Sequence, residues 1–345
     1  MLFNLENEEY YCKYWRQHYE NILAKLGFSK TNKKENVSIG HFDFAKLIGY
    51  GFPNCMARKK AIHEIYKNEV YYPKSILINK SWAQDNKKMI TNFIGKSRKV
   101  LKNDFGVGSH NVYIVKNYED CIKKMNDKNY YVLQNEIDPL LYHNKKLDER
   151  VYILVIKEKN TYSAYTFKEG HVKLAGYNFD RNSDEMGSFA TNIKAPKPSG
   201  SKGIDFTIDT EHFLSFIGDK QKWKNNRLEL LKKIAAKFLP YVAKNTEEYF
   251  DGYDQPLFLW HLYGIDILID KKYNMYLCEF NGKPGVVYDD VMPKEITNIN
   301  RNMCNRIMMR FIAPWITKSK NTHHEDKTIT KLAEFNTRLH HHQNH

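Results

Sequence analysis

Asp266, Glu279 and Asn281 lie on the two arms of the stretch 262–281, whose alternating apolar residues predict a β-hairpin. With a loop over Lys271 to Asn274, counting outward sets Asp270 against Met275 and Asp266 against Glu279. Like charges directly opposite on a sheet repel. Asn281 shares the Glu279 face by the two-residue period, which adds further oxygen donors. A hard divalent cation would turn that repulsion into coordination, and a sparse oxygen set suits magnesium held jointly with a substrate phosphate. Two carboxylates on the wet face of an amphipathic hairpin would give the same pattern, and spacing alone leaves both readings open.

A second candidate is Lys102, which ends an apolar run and is followed by Gly106 and Gly108. Glycines let backbone N–H groups approach a phosphate, and the ammonium supplies a point charge. The pattern is neither a Walker A loop nor a dinucleotide fingerprint, and a plain structural turn accounts for it equally well.

The elements that must carry these residues can be read along the chain. Residues 8–26 have helical spacing, Lys30 to Glu35 is a polar break, and Cys55 to Tyr66 predicts a second helix. Pro73 leads into a short strand ending at Ile78, and Ser97 to Leu101 and Asn111 to Val115 predict strands on either side of the glycine loop. A helix over Tyr118 to Met125 and strands over Tyr130 to Glu136 and Val151 to Ile156 follow. Thr161 to Phe167 and His171 to Ala175 then flank Lys168-Glu-Gly170, read as a hairpin turn. Phe179 to Ile204, rich in Ser, Asn, Gly, Pro and Lys, is expected as a loop or lid whose length argues for function. Leu228, Leu231, Ile234, Ala235 and Phe238 mark one face of a helix over Arg227 to Phe238, and Asn302 to Ile312 predicts a closing helix.

Composition narrows the classes. The chain of 345 residues is long enough for two or three lobes, and 54 Lys and Arg against 40 Asp and Glu give +14. That charge suits an acidic partner. Without a Cys/His finger or an RNP-type aromatic strand, nucleic acid rests on charge alone and ranks low. Cys12, Cys55, Cys121, Cys278 and Cys304 are odd in number and far apart, which suits a reducing compartment better than zinc or disulfides. No run of 18 apolar residues and no signal-like amino terminus is seen, so a soluble intracellular protein without membrane contact is expected. Tyr10, Tyr11, Lys13, Trp15 and Arg16 read as helix packing before docking, and the histidines at 340–342 and 345 as compositional bias before a metal site.

Taken in order, several segments resemble the tubulin–tyrosine ligase-like family, whose members have an ATP-grasp fold. They are Lys102 with its glycines, Tyr131 to Leu141, Lys146 to Val155, Thr191-Asn192 and the hairpin from Gly264 to Pro284. The resemblance implies an α+β chain of mainly antiparallel sheets and packed helices enclosing an ATP cleft. It divides into an amino-terminal subdomain (1–95), a central subdomain (96–145), a carboxy-terminal subdomain with the metal site (146–318) and a flexible tail (319–345). It also implies roles for residues. Lys59 and Lys102 would reach the ATP phosphates with the Gly106 and Gly108 backbone. Gln134, Asn135, Glu136 and Ile137 would line the adenine. Lys146, Asp148 and Arg150 would serve the nucleotide and the acceptor, Thr191 and Asn192 the reacting phosphate, and Asp266, Glu279 and Asn281 would hold Mg2+.

Departures from the family pattern are specific. Asn103 stands for Pro, Asn135-Glu136 for Lys-Tyr, Leu147 for Phe and Ala190 for Leu, while Lys173 takes the place of an arginine. Lysine keeps the charge and loses the bidentate fork. The implied activity is an ATP-dependent carboxylate–amine ligase: a carboxylate is phosphorylated to an acylphosphate, which an amine attacks. The implied acceptor is an acidic protein segment such as a tubulin C-terminal tail, the donor an amino acid such as glutamate, and the location the cytoplasm at the cytoskeleton. A ligase acting on a small carboxylate or peptide, and a non-catalytic module binding acidic protein or nucleic acid, are the alternatives.

Overall fold

The computed structural model describes residues 2–3, 24, 29–30, 58–105, 111–191, 195–249, 251, 258–282, 284, 292–314 and 327–337. Apart from Ala24 and Lys30, the expected helix over 8–26, the polar break after it, the aromatic cluster at 10–16 and the terminal histidines lie outside these residues.

The first described elements are α1 (Lys59–Tyr66), β1 (Ser75–Ile78), α2 (Lys80–Asp85), α3 (Lys87–Ile94), β2 (Lys99–Asn103), β3 (Val112–Val115), α4 (Tyr118–Lys124) and β4 (Tyr131–Asn135). Side chains start the helices where the sequence offers an acceptor. Asn79 accepts from the Trp82 N–H at 2.9 Å, and Asn117 from the Asp120 N–H at 2.8 Å. Glu119 and Asp120 sit in the first turn of α4 and Lys123 and Lys124 in its last, matching the helix dipole. The four strands form an antiparallel sheet in the order β1-β4-β2-β3. Alternation gives it two faces: Leu101, Val115, Tyr131 and Leu133 pack with Ala83, Ile90, Ile94 and Cys121 from α2, α3 and α4. Val100 and Ile114 pack instead with Phe189, on the side that faces the larger sheet.

The larger sheet has seven strands, one of them the two-residue strand Leu141–Tyr142, which pairs Lys146 and Lys145. Its long members are β5 (Lys145–Glu158) and β6 (Thr161–Leu174), joined by a tight turn in which Lys159 takes φ +55°. After α5 (Met186–Phe189) come β7 (Thr207–Asp209), α6 (Thr210–Leu214), α7 (Lys220–Tyr249), β8 (Phe258–Ile269), β9 (Met275–Asn281), α8 (Lys294–Ile307) and β10 (Ile329–Asn336). The order is β7-β6-β5-β8-β9, with β10 also pairing β6, and all these pairings are antiparallel. On one face Val151, Ile153, Val155, Ile265 and Ile267 form a core with Leu231, Ile234, Ala235 and Phe238 of α7. On the other, Asn300 of α8 donates to the Tyr152 hydroxyl at 3.3 Å. Among the described residues no helix is long and apolar enough to cross a membrane, and Cys121, Cys278 and Cys304 are free thiols.

Four expectations need correction. Lys168-Glu-Gly170 is not a hairpin turn but an irregularity within the continuous strand β6, where Val151 pairs Gly170 and Ile153 pairs Thr166. A Cβ on Gly170 would lie 2.7 Å from the Arg150 carbonyl oxygen, so the glycine serves close strand approach. Within the expected flexible tail, residues 329–336 form β10 and add a strand along Thr161–Phe167. Helix α7 runs past Phe238 and through Pro240, because Leu239, Val242 and Ala243 continue the buried stripe. Their burial outweighs a proline penalty of about 3 kcal/mol. The closing helix starts at Lys294, before the expected Asn302, and ends in a π turn over Met308–Ile312.

Candidate active site

In the β8–β9 hairpin Asp266 stands opposite Glu279, as counting predicted, although the turn itself is one residue longer. Ile269 pairs Met275, so Asp270 does not face Met275, and an irregularity after Asp266 restores the register. The Asp270 carboxylate fastens the turn by accepting from the backbone N–H of Lys272 (2.8 Å) and of Asn274 (2.9 Å). Pairing continues from Asp266 to Arg150 on β5 and from Arg150 to His171 on β6, so one row crosses four strands.

The Asp266–Glu279 repulsion is offset within the chain. Arg150 grips Asp266 with two donors, Nε to Oδ1 at 2.5 Å and Nη2 to Oδ2 at 2.9 Å, and Lys173 Nζ donates to Oδ2 at 2.9 Å. Lys173 also contacts Asp148 Oδ1 at 3.0 Å, and Thr191 donates to Asp148 Oδ2. Burial alone would raise the Asp266 pKa, but Arg150 and Lys173 hold the carboxyl well below the usual range. Burial alone would likewise lower Lys173, yet Asp148 and Asp266 raise it. His171, pressed between Arg150 and Lys173 in a fully buried position, is pushed well below its ordinary value by burial first and by those two cations second. Room for the Arg150 side chain comes from Gly264, where a Cβ would lie 3.0 Å from Arg150 Cδ.

Three further lysines approach from other elements. Asp104, just after β2, accepts from the Lys60 backbone N–H at 2.8 Å and from Arg58 at 3.2 Å, which fixes the start of α1 and with it Lys59. Lys102 on β2 reaches Cys278 Sγ at 3.7 Å, and Lys146 on β5 lies 3.3 Å above the Phe189 ring centroid. Lys59, Lys102 and Lys146 are all buried. Burial lowers Lys146 to about 8, partly countered by Cys278, Glu136 and Asp148, and lowers Lys59 against the pull of Glu279. For Lys102 the opposing burial is exceeded by Cys278, Tyr72 and Glu279, and its pKa is raised.

These groups share one pocket between the two sheets. It is lined by Lys59, Lys102, Gln134, Asn135, Glu136, Ile137, Lys146, Asp148, Lys173, Thr191, Asp266 and Glu279. Val100, Val112, Met186, Phe189 and Leu268 supply apolar walls. Arg150 is held behind Asp266, and Asn281, opposite Gly264, lies beyond the pocket lining. Gly106, Gly108 and Asn192 fall outside the described residues. The Glu136 carboxylate is turned to Arg98, whose Nε and Nη2 donate at 2.5 and 2.7 Å. Arg98, Cys278 and the Phe189 platform were not expected. Phe189, two residues before Thr191, could have been found as an aromatic beside that element.

Among the described residues no group of three or more His, Cys, Asp or Glu side chains is placed to hold a metal ion. Asp266 and Glu279 both line the pocket, and carboxylate oxygens are the donor type that a hard cation takes.

A profile of the tubulin-tyrosine ligase family matches residues 52–322. Tubulin polyglutamylase ttll-11 of Caenorhabditis elegans is 25% identical over 213 residues, 56% of this chain and 29% of that protein. The probable tubulin polyglutamylase TTLL2 of Mus musculus is 28% identical over 179 residues, 49% of this chain and 31% of its own length. Tubulin glycylase 3F of Tetrahymena thermophila is 27% identical over 159 residues, 45% of this chain and 17% of its own. The matched part of the chain thus spans less than a third of each of these longer relatives. With most of its length matched by the family profile, this chain belongs to the tubulin-tyrosine ligase family.

Proposed function

We propose that the chain is an ATP-dependent carboxylate–amine ligase of ATP-grasp architecture that attaches an amino acid to an acidic protein segment, such as a tubulin tail. The observation that carries this reading is the gathering of Lys59, Lys102, Lys146 and Lys173 around one pocket with apolar walls. Buried ammonium groups in such number suit a polyphosphate, and the walls of Val100, Met186 and Leu268 suit a flat base. Bound there with magnesium, ATP would supply its terminal phosphoryl group to activate a carboxylate as an acylphosphate open to attack by an amine.

The chain's own task is positioning and charge neutralisation. Lys59, Lys102 and Lys146 would hold the phosphates, with the Gly106 and Gly108 backbone beside Lys102. Gln134, Asn135 and Ile137 would take the base edge, and Glu136 supports them through Arg98. Asp266 and Glu279, with Asn281 behind, would hold the magnesium. Arg150 and Lys173 keep Asp266 ionised and oriented. Asp148, held by Lys173 and Thr191, would face the acceptor side, and Thr191 and Asn192 the reacting phosphate. All three relatives are named for tubulin modification, and a chain of charge +14 suits an acidic acceptor.

The test mixes the protein with Mg-ATP, each amino acid and a panel of acidic polypeptides including tubulin, followed by intact mass. A gain of one amino-acid residue with ADP release supports the reading and names the donor. No addition and no ADP with any acceptor overturns it. Glu279→Gln is expected to abolish ADP release while leaving thermal unfolding nearly unchanged.

A further inference from the structure

Arg98 sits where three parts of the molecule meet. It precedes β2, its guanidinium takes both Glu136 oxygens at 2.5 and 2.7 Å, and its third donor, Nη1, reaches the Ser183 carbonyl at 2.6 Å. The Phe179 ring lies 5.8 Å from the guanidinium carbon. Glu136 belongs to the stretch that edges the pocket after β4. Ser183 belongs to the segment after β6, from which Met186 and Phe189 form pocket wall.

That segment is tied together by its own contacts. The Tyr177 N–H donates to the Gly187 carbonyl at 3.0 Å, and Gly187 is packed so closely that a Cβ would meet the Tyr177 ring at 2.5 Å. A tether at Ser183 therefore reaches Met186 and Phe189. Two other ion pairs hold the segment to the small-sheet side, Lys116 with Asp184 at 2.6 Å and Arg181 with Asp138. Both are about half exposed, where such pairs contribute little. The Arg98 and Glu136 side chains are only 8% and 12% exposed, and a bidentate charge-assisted pair there is strong. Glu136 is itself a departure, standing where tyrosine is frequent in the family.

We infer that Arg98 is a positioning residue which, by joining Glu136 to the Ser183 backbone, holds the Met186–Phe189 wall against the base and so slows nucleotide release. The inference rests on the nucleotide reading of the pocket. Without the fork the segment loses its buried ion-pair tether and keeps the two exposed pairs with the packing of Phe189 on Val100 and Ile114, and the wall opens more often.

Stopped-flow release of a fluorescent ATP analogue with magnesium tests this, read beside hydrogen exchange over 177–191. Arg98→Ala is expected to speed release about tenfold or more and to deprotect that segment in the bound state. Arg98→Lys, which keeps the charge and loses the fork, should fall between. Because Arg98→Ala could fold poorly, Glu136→Gln is the second variant, expected to speed release about threefold or more. If the unaltered protein holds the nucleotide but the variants release it at its rate, Arg98 is a fold-stabilising residue only, and the inference fails while the pocket reading stands. If the unaltered protein binds no nucleotide, the pocket reading fails and this inference with it.

Discussion

Two groups of buried cations surround the same pocket, Arg150 from behind Asp266, and differ in what neutralises them. Arg150 and Lys173 share Asp266, and Lys173 also pairs Asp148; each is raised above its ordinary pKa because its carboxylate neighbours outweigh burial. Lys59 and Lys146 are lowered, because burial outweighs their acidic neighbours. The first group is neutralised by the chain itself and orients other side chains. The second carries more charge than its surroundings offset, which is the condition an incoming polyphosphate relieves.

The largest effect is expected where the neutralised group is broken. Asp266→Asn leaves Arg150 buried without its paired carboxylate and Lys173 with Asp148, a loss of about 3–5 kcal/mol in urea unfolding. Lys146→Met should behave in the opposite sense: unchanged or slightly raised stability, but Mg-ATP affinity lower by about tenfold or more in calorimetry. Equal destabilisation by both variants would erase the distinction between the groups. Gly264→Ala brings a methyl to 3.0 Å from Arg150 Cδ and should cost about 1–3 kcal/mol by displacing the guanidinium from Asp266.

A smaller effect follows from pH. Lys146 gives up its proton near pH 8 in the folded chain and near 10.5 when unfolded. Between these values the unfolded state binds more protons, so this group makes stability rise with pH, while below 8 its burial penalty is fully present. Nucleotide phosphates favour the protonated form. Mg-ATP affinity should therefore fall as pH rises through 8, by at most about tenfold per unit, with proton uptake on binding. Lys146→Arg should flatten that fall. Lys173, raised in pKa, adds nothing in this window.

How much of this could be read in the sequence depended on range. The Asp266–Glu279 opposition was legible because both residues lie on one hairpin with a two-residue period. The count reached the right pair even though a longer turn and an irregularity after Asp266 cancelled each other, which no residue type announces. Gly170 was misread because a glycine beside Lys and Glu looks like a turn, whereas its reason lies across the sheet at the Arg150 carbonyl. Strand β10 was missed because its partner is Thr161–Phe167, far away in the chain. Arg98 and Glu136 are separated by 38 positions, and nothing in the spacing joins them. Lys59, Lys102 and Lys146, in contrast, stood out through the order of their neighbouring motifs.

The most direct test is a crystal structure with magnesium and a non-hydrolysable ATP analogue. The account predicts phosphate oxygens within about 3.2 Å of Lys59, Lys102 and Lys146 Nζ, the base between Val100 and Leu268, and Arg150 still on Asp266. Phosphates seated elsewhere, or on Arg150 after it has left Asp266, would contradict it.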